Sequence, residues 1–280
     1  VKRTFSPLLA AILITSTAAA GPVASASGAQ TSALPKLSLT INASSITASG
    51  AVQSGGVNVL ITNKGKKEAA AILFLLKSGV TEGEVNSFLK SKKSKDPNAA
   101  SKYGSIVFDQ EAAAGKSAEA QTTLAPGQYL ALAAPGEGPP KFRTTFTVTA
   151  AQNPVSLPKP QATVRSIEFD FRGPTTLHSG ELVRFENDGY LVHMDSAFPV
   201  KSKSAAKQAV NALRAGDQKE LKGLVAGAPV SFAGPLSSGA YQQEKITAKP
   251  GWYVQVCFME TQEGVPHTRL GMERMINISK

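Results

Sequence analysis

The sequence predicts an all-β protein: two tandem Greek-key β-sandwich domains, each with one short helical insertion. Three observations carry this expectation. Short alternating strands are punctuated by turn signals. A quiet repeat relates the two halves of the chain, with key residues 124 positions apart. Helical periodicity is confined to one excursion per half, whereas an α/β sheet would need helices between most strands.

The chain opens VKRTFSPLLAAILITSTAAAGPVASASGAQ. Lys2 and Arg3 form a basic start, Leu8 to Ala20 an apolar run, and Ala18, Ala20, Ala24 and Ala26 offer small residues for cleavage. Residues 1–26 are expected to be a secretory signal peptide. The run is short for a membrane span, and nothing later reaches its length. No cysteine follows the cleavage region, so no lipid anchor is expected there. The expected location is secreted or extracytoplasmic, in a periplasm or at the cell exterior.

The first domain is expected over 35–150. GGVNVLITNKGKKEAAAILF, residues 55–74, reads as a strand, a turn at Asn-x-Gly and a second strand. Thr81 and Glu84 form a capping box before the helical VNSFL. KSKKSK, residues 90–95, reads as a solvated loop that can attract an anionic surface. A Pro-Gly turn then feeds the alternating strand of TTLAPGQYLALAAPGEG, residues 122–138, and FTVTA follows at 146–150. The prolines of AAQNPVSLPKPQ, residues 150–161, mark a boundary.

The second domain, 158–280, repeats the plan. SGELVRFENDGYLVHMDSAF, residues 179–198, matches the first strand pair, with Asn187 and Gly189 each 124 residues after Asn63 and Gly65. Residues 204–225 suggest two helices broken near Gly216, the second capped by Asp217 with Glu220. ITAKPGWYVQVCFMETQEG, residues 246–264, matches the Pro-Gly strand, with Pro250 and Tyr253 again 124 after Pro126 and Tyr129. MINIS at 275–279 closes the domain. Alternation should bury one of Trp252 and Tyr253 and turn the other outward. The short linker should hold the two domains against each other.

The formal net charge is +10, and it falls to +8 without Lys2 and Arg3. Basic residues are spread along the chain and do not interleave with aromatics, so nucleic acid is not an expected partner.

Chemistry concentrates in the second half. The one cysteine, Cys257, has no partner for an internal disulfide, which leaves burial, intermolecular pairing or a specific role. All histidines, all methionines and the cysteine lie after residue 161. At the 124-residue offset His193 corresponds to Ala69, and Cys257 to Ala133. One thiolate with two imidazoles, and a weak axial methionine beyond, suits copper. The candidate metal ligands are His193, Cys257, His267 and Met272. Cys257 would end a strand, His193 would come from the strand beside it, and His267 and Met272 would lie on the following loop. Gly264, Pro266 and Gly271 give that loop its turns. Met194 and Met259 read as packing residues, and His178 as a solvated turn residue. Two other readings use the same residues: zinc at Cys257, His193 and His267, or a Cys-His nucleophile pair oriented by Asp195 or Glu263.

VRFENDGYLVH, GWYVQVC and PHTRLGM together resemble the cupredoxin family, the type 1 blue copper domains such as plastocyanin and azurin. The resemblance covers 160–280 in motifs and 35–150 as a fold without ligands. It implies His193 as first ligand, then Cys257, His267 and Met272, and Asn187 as a residue that ties neighbouring loops by hydrogen bonds. Nine residues separate Cys257 from His267, where plastocyanin and azurin have only a few. The resemblance also implies one-electron transfer by one copper ion, an exposed edge of His267 as electron port, a docking rim of Gly264, Val265 and Pro266, and a transient redox protein partner. With His178 set aside only two histidines remain, so oxidase or nitrite-reductase activity is not expected. A non-redox surface binding or structural protein, and a copper(I) carrier, are the alternatives.

Overall fold

A computed structural model of the chain describes residues 33–280 apart from Ala51, Glu137 and Gly138. The expected signal peptide lies outside the described residues. The described chain is all-β, with three short α-helices and a few 3-10 turns.

In the first half, β1 (Lys36–Ile41) alternates strictly, burying Leu37, Leu39 and Ile41. It pairs with β2 (Ile46–Gly50) antiparallel and with β3 (Gly55–Asn63) parallel. β4 (Ala69–Leu76), β5 (Gly104–Ala112), β7 (Gly127–Pro135) and β8 (Phe142–Val148) form a four-stranded sheet in the order β5-β4-β7-β8. β6 (Ser117–Leu124) joins β3. Leu39, Ile61, Leu73, Phe108 and Tyr129 fill the core between the sheets.

The second half follows the same order. β9 (Ala162–Ile167), β10 (Asp170–Arg172), β12 (Leu182–Asn187) and β15 (Tyr241–Lys245) pair with one another. β11 (Thr176–His178), β13 (His193–Val200), β14 (Val230–Leu236), β16 (Gly251–Val256) and β17 (Glu273–Ser279) form a five-stranded sheet in the order β11-β17-β16-β13-β14. Its inner face buries Ala197 and Tyr253, which pack with Phe185, Phe232 and Ile276. The alternate residues Phe198, Val200, Val254 and Val256 face the other way.

One eight-stranded sheet, β10-β9-β12-β15-β6-β3-β1-β2, runs through both halves. The crossing is narrow. β15 meets β6 at the single pair Gln243 and Gln121, whose side chains hydrogen-bond at 2.9 Å, and Thr122 Oγ1 donates to Tyr241 O at 2.8 Å.

Each helical insertion sits between the same two strands of its half. Before α1 (Glu82–Lys90), Glu84 N–H donates to Thr81 Oγ1 at 3.3 Å and Thr81 N–H to Glu84 Oε2 at 2.8 Å. Val85 and Phe88 pack onto Phe74 and Ile106. α2 (Lys203–Ala215) buries Ala206, Ala209 and Leu213 on the outer face of β13 and β16. It ends at Gly216, whose φ of 73° is left-handed and suits glycine. Asp217 caps α3 (Gln218–Leu224) through Glu220 N–H at 2.9 Å. Trp252 lies half-buried near α2 with Lys203 over its ring, while Tyr253 is buried. KSKKSK ends α1 and continues as the 3-10 turn Lys92–Lys95, with Lys92 and Lys93 exposed.

The repeat extends to individual bonds. Asn63 Nδ2 donates to Lys67 O and Ala112 O, both at 2.8 Å, and its Oδ1 accepts from Gly65 N–H at 2.8 Å. Asn187 makes the same three bonds to Leu191 O, Leu236 O and Gly189 N–H, at 2.8, 2.7 and 3.0 Å. Every partner is displaced by the same offset of 124. Tyr129 Oη donates to Ala125 O at 2.9 Å, and Tyr253 Oη to Lys249 O at 2.8 Å.

Candidate metal centre

His193 opens β13, just past the loop that Asn187 brackets. Val192 N–H, beside it, donates to Asn98 Oδ1 at 2.6 Å. Asn98 belongs to the 3-10 turn Pro97–Lys102 of the first half, so that half pins the strand at the histidine. β13 and β14 change register between His193 and Asp195 and again before Ser196, an irregularity of the kind that re-aims side chains. β13 runs antiparallel to β16, whose last residue Val256 faces Ser196. Cys257, the next residue, therefore arrives beside the start of β13.

The chain then leaves for its loop and returns. His267 N–H donates to Met259 O at 2.8 Å and opens the 3-10 turn His267–Arg269. Met272 N–H donates to His267 O at 3.0 Å, and Cys257 N–H to Met272 O at 3.2 Å. These bonds absorb the nine-residue spacing, so the long loop still delivers His267 to Cys257.

The structure brings three sequence-predicted donors together. Cys257 Sγ lies 3.4 Å from His267 Nδ1 and 3.8 Å from His193 Nδ1. One donor atom from each residue falls within 4.8 Å of the others. His193 is 1% exposed, and Cys257, His267 and Met272 are 0%. Met272 shares the packed core of Cys257.

Burial sets the protonation of these side chains. It pushes the Cys257 thiol up to about 12, against the opposing hydrogen bond from Met194 N–H at 3.4 Å. It lowers His267 to about 4, helped by the charge His193 would carry. It lowers His193 too, although the Glu168 carboxylate pulls the other way. The imidazoles are thus neutral with nitrogen lone pairs available, and a metal ion would displace the thiol proton.

Glu168 and Phe169, between β9 and β10, were not legible as site residues in the sequence. Glu168 Oε1 accepts from Tyr190 N–H at 2.6 Å and Leu191 N–H at 2.9 Å and lies 3.5 Å from His193 Nε2. Burial would raise its carboxyl, but those amides and His193 outweigh it and hold it below its usual value. A Cβ at Gly189 would collide with this carboxylate. Phe169 meets His267 edge-on, with centroids 5.0 Å apart, and has a left-handed φ of 47°, uncommon for a bulky residue.

The expected exposed edge of His267 is corrected. The ring is fully buried, its Nε2 has no hydrogen-bond partner among the described residues, and Phe169 packs edge-on against it. The nucleophile reading also fails. The Asp195 carboxylate accepts from Gln255 Nε2 at 2.7 Å and pairs with no histidine among the described residues, Glu263 is exposed, and a buried thiol near 12 is a poor nucleophile. His178 is exposed on β11, 2.7 Å from Ser279 Oγ. Met194 and Met259 are partly buried and pack against the second core.

The donor set fits one type 1 copper ion: one soft sulfur, two borderline nitrogens and a methionine packed beside them, all shielded from water.

No family model and no curated protein matches the chain. Among solved structures, the chain is similar to a dithionite-reduced auracyanin from the photosynthetic bacterium Roseiflexus castenholzii. The identity is 20%, over 42% of this chain and 95% of that one, with a TM-score of 0.24. It is similar to auracyanin A, a "blue" copper protein from Chloroflexus aurantiacus, at 18% identity over 42% of this chain and 99% of that one, TM-score 0.24. A copper nitrite reductase from Nitrosomonas europaea matches at 11% identity over 88% and 94%, TM-score 0.23. No helix among the described residues is long and apolar enough to cross a membrane.

Proposed function

We propose that residues 158–280 form a domain that would hold one copper ion through His193, Cys257 and His267, with Met272 as a weaker fourth ligand. Its use is one-electron transfer outside the cytoplasm, as a carrier rather than an enzyme, with residues 35–150 as a metal-free companion domain. The observation that carries this is the buried meeting of one thiol and two imidazoles, with one donor atom of each within 4.8 Å of the others. A bound copper ion would supply a single electron's worth of redox change, between +1 and +2.

The chain's own residues would do the rest. The backbone bonds among Cys257, Met259, His267 and Met272 hold the donors at one spacing, so little moves between oxidation states. Met194 N–H donates to the sulfur, a contact that tunes a metal thiolate. Full burial of the donors excludes water. Because His267 is covered, docking shifts to the exposed apolar side chains beside the donors, Phe258 next to Cys257 and Leu270 near His267. A transient redox protein suits so small a surface. Exposed Lys92 and Lys93 offer an anionic partner or surface a second contact.

Copper loading of the native chain and of Cys257→Ser, followed by visible and paramagnetic spectra, tests this reading. The native protein should turn blue with an intense charge-transfer band, and the variant should stay colourless. Native protein that holds copper only as +1 would point to a carrier or store. Native protein that holds none would leave the surface-binding reading.

A further inference from the structure

A cavity of about 780 Å³ opens beside the candidate metal centre without including any of its four donors. Phe74, Phe88 and Leu132 wall it from the first half, and Met194, Pro235 and Met259 from the second. Such a volume and apolar lining suit a small organic molecule.

One wall is acidic. Asp109 and Glu111 are two apart on β5 and both line the cavity, together with Glu68 just before β4. None of the three makes an ion pair among the described residues, in a chain whose formal charge is +10. Asp109 is the telling member. It is 3% exposed, and its carboxyl takes no hydrogen bond from a described residue. Gly234 makes room for it, since a Cβ there would collide with that carboxyl. Burial and the charge of Glu111 push Asp109 well above the usual carboxylate range. A buried carboxyl held without a partner is costly, and a bound cation would relieve it.

We propose that this cavity binds an organic cation with an apolar body, an alkyl- or arylammonium, whose ammonium group pairs with Asp109. An organic anion would bring like charge beside Glu68 and Glu111 and could not pair with Asp109. A hard metal ion needs oxygen donors that converge on one point, and among the described residues Glu68, Asp109 and Glu111 do not form such a group. An uncharged apolar molecule would leave Asp109 as it is. The site is independent of the copper reading, although Met194, which lines the cavity, also donates its N–H to Cys257 Sγ.

Titration calorimetry on the metal-free full chain at neutral pH tests it, with 4-phenylbutylammonium as probe. The uncharged 4-phenylbutan-1-ol and the anionic 5-phenylpentanoate serve as comparisons. The ammonium compound should bind with a Kd below about 1 mM. Asp109→Asn should weaken it about tenfold or more while leaving the circular dichroism unchanged. Cys257→Ser should bind the probe as the native chain does, which separates this result from the fate of the copper reading. Equal binding of the alcohol, undiminished binding by Asp109→Asn, or no binding of the amine would each overturn the proposal.

Discussion

At the start of β4 the first half places Ala69, and at the matching start of β13 the second half places His193. Ala133 and Cys257 stand in the same relation, and all four residues are buried. Around both pairs the frame is the same, down to the three bonds of Asn63 and of Asn187. Alanine fills these positions where packing is the only task. The frame therefore does not need donors to fold, and the donors are an addition made on a scaffold that already closes. The first half contributes something its partner lacks, since Asn98 reaches across to the amide beside His193.

The sharpest way to break this comparison is to make the second half resemble the first. A His193→Ala/Cys257→Ala double variant should keep its circular dichroism and lose copper binding altogether in a titration. Loss of the fold instead would show that the donors are structural.

Next in size come the paired asparagines. Asn63→Ala and Asn187→Ala should each cost about 2–4 kcal/mol in urea unfolding, because each strands buried backbone groups. Only Asn187→Ala should also broaden the visible and paramagnetic spectra of the copper-loaded protein, since only that loop carries a ligand. A much smaller cost at Asn63 would end the equivalence.

Acid distinguishes the halves as well, because the first has no histidine. His267 is lowered by burial from an ordinary value near 6.5 to about 4. Above pH 6.5 both states are neutral and the stability is fully present. As the pH falls towards 4 the unfolded chain takes up a proton that the folded chain refuses, and stability is lost, up to about 3 kcal/mol. The metal-free native chain should lose more urea resistance between pH 7 and pH 4.5 than His267→Gln does. Equal losses would mean that His267 titrates freely in the folded state.

The smallest effect belongs to the contact between halves. Asn98→Ala should cost about 1 kcal/mol and shift the copper-loaded visible band slightly. An unchanged band would mean that the second half orients His193 unaided.

The elements that were legible in the sequence are those set by local chemistry. Asn-x-Gly and Pro-Gly turns, the Thr81–Glu84 box and the Gly216 break each act within a few residues. The donors were legible because they are rare and fall at one offset from alanines. Glu168 and Phe169 were not, because a charged and an aromatic residue in a turn look alike whether they face solvent or a histidine. The burial of His267 was hidden for the same reason: the ring that covers it comes from 98 residues upstream. The seam of β6 and β15 was equally hidden, since Gln121 and Gln243 read as ordinary polar strand residues until the two are brought together.

That seam has a consequence for how the chain stays dispersed. A strand at a sheet margin offers unpaired amides and carbonyls to any extended peptide it meets. Here β6 and β15 shield each other's margins, and glutamine side chains complete the closure. Producing the two halves as separate chains, without the bonds that Gln121, Thr122 and Asn98 make across the seam, would bare both margins at once and favour self-association of each.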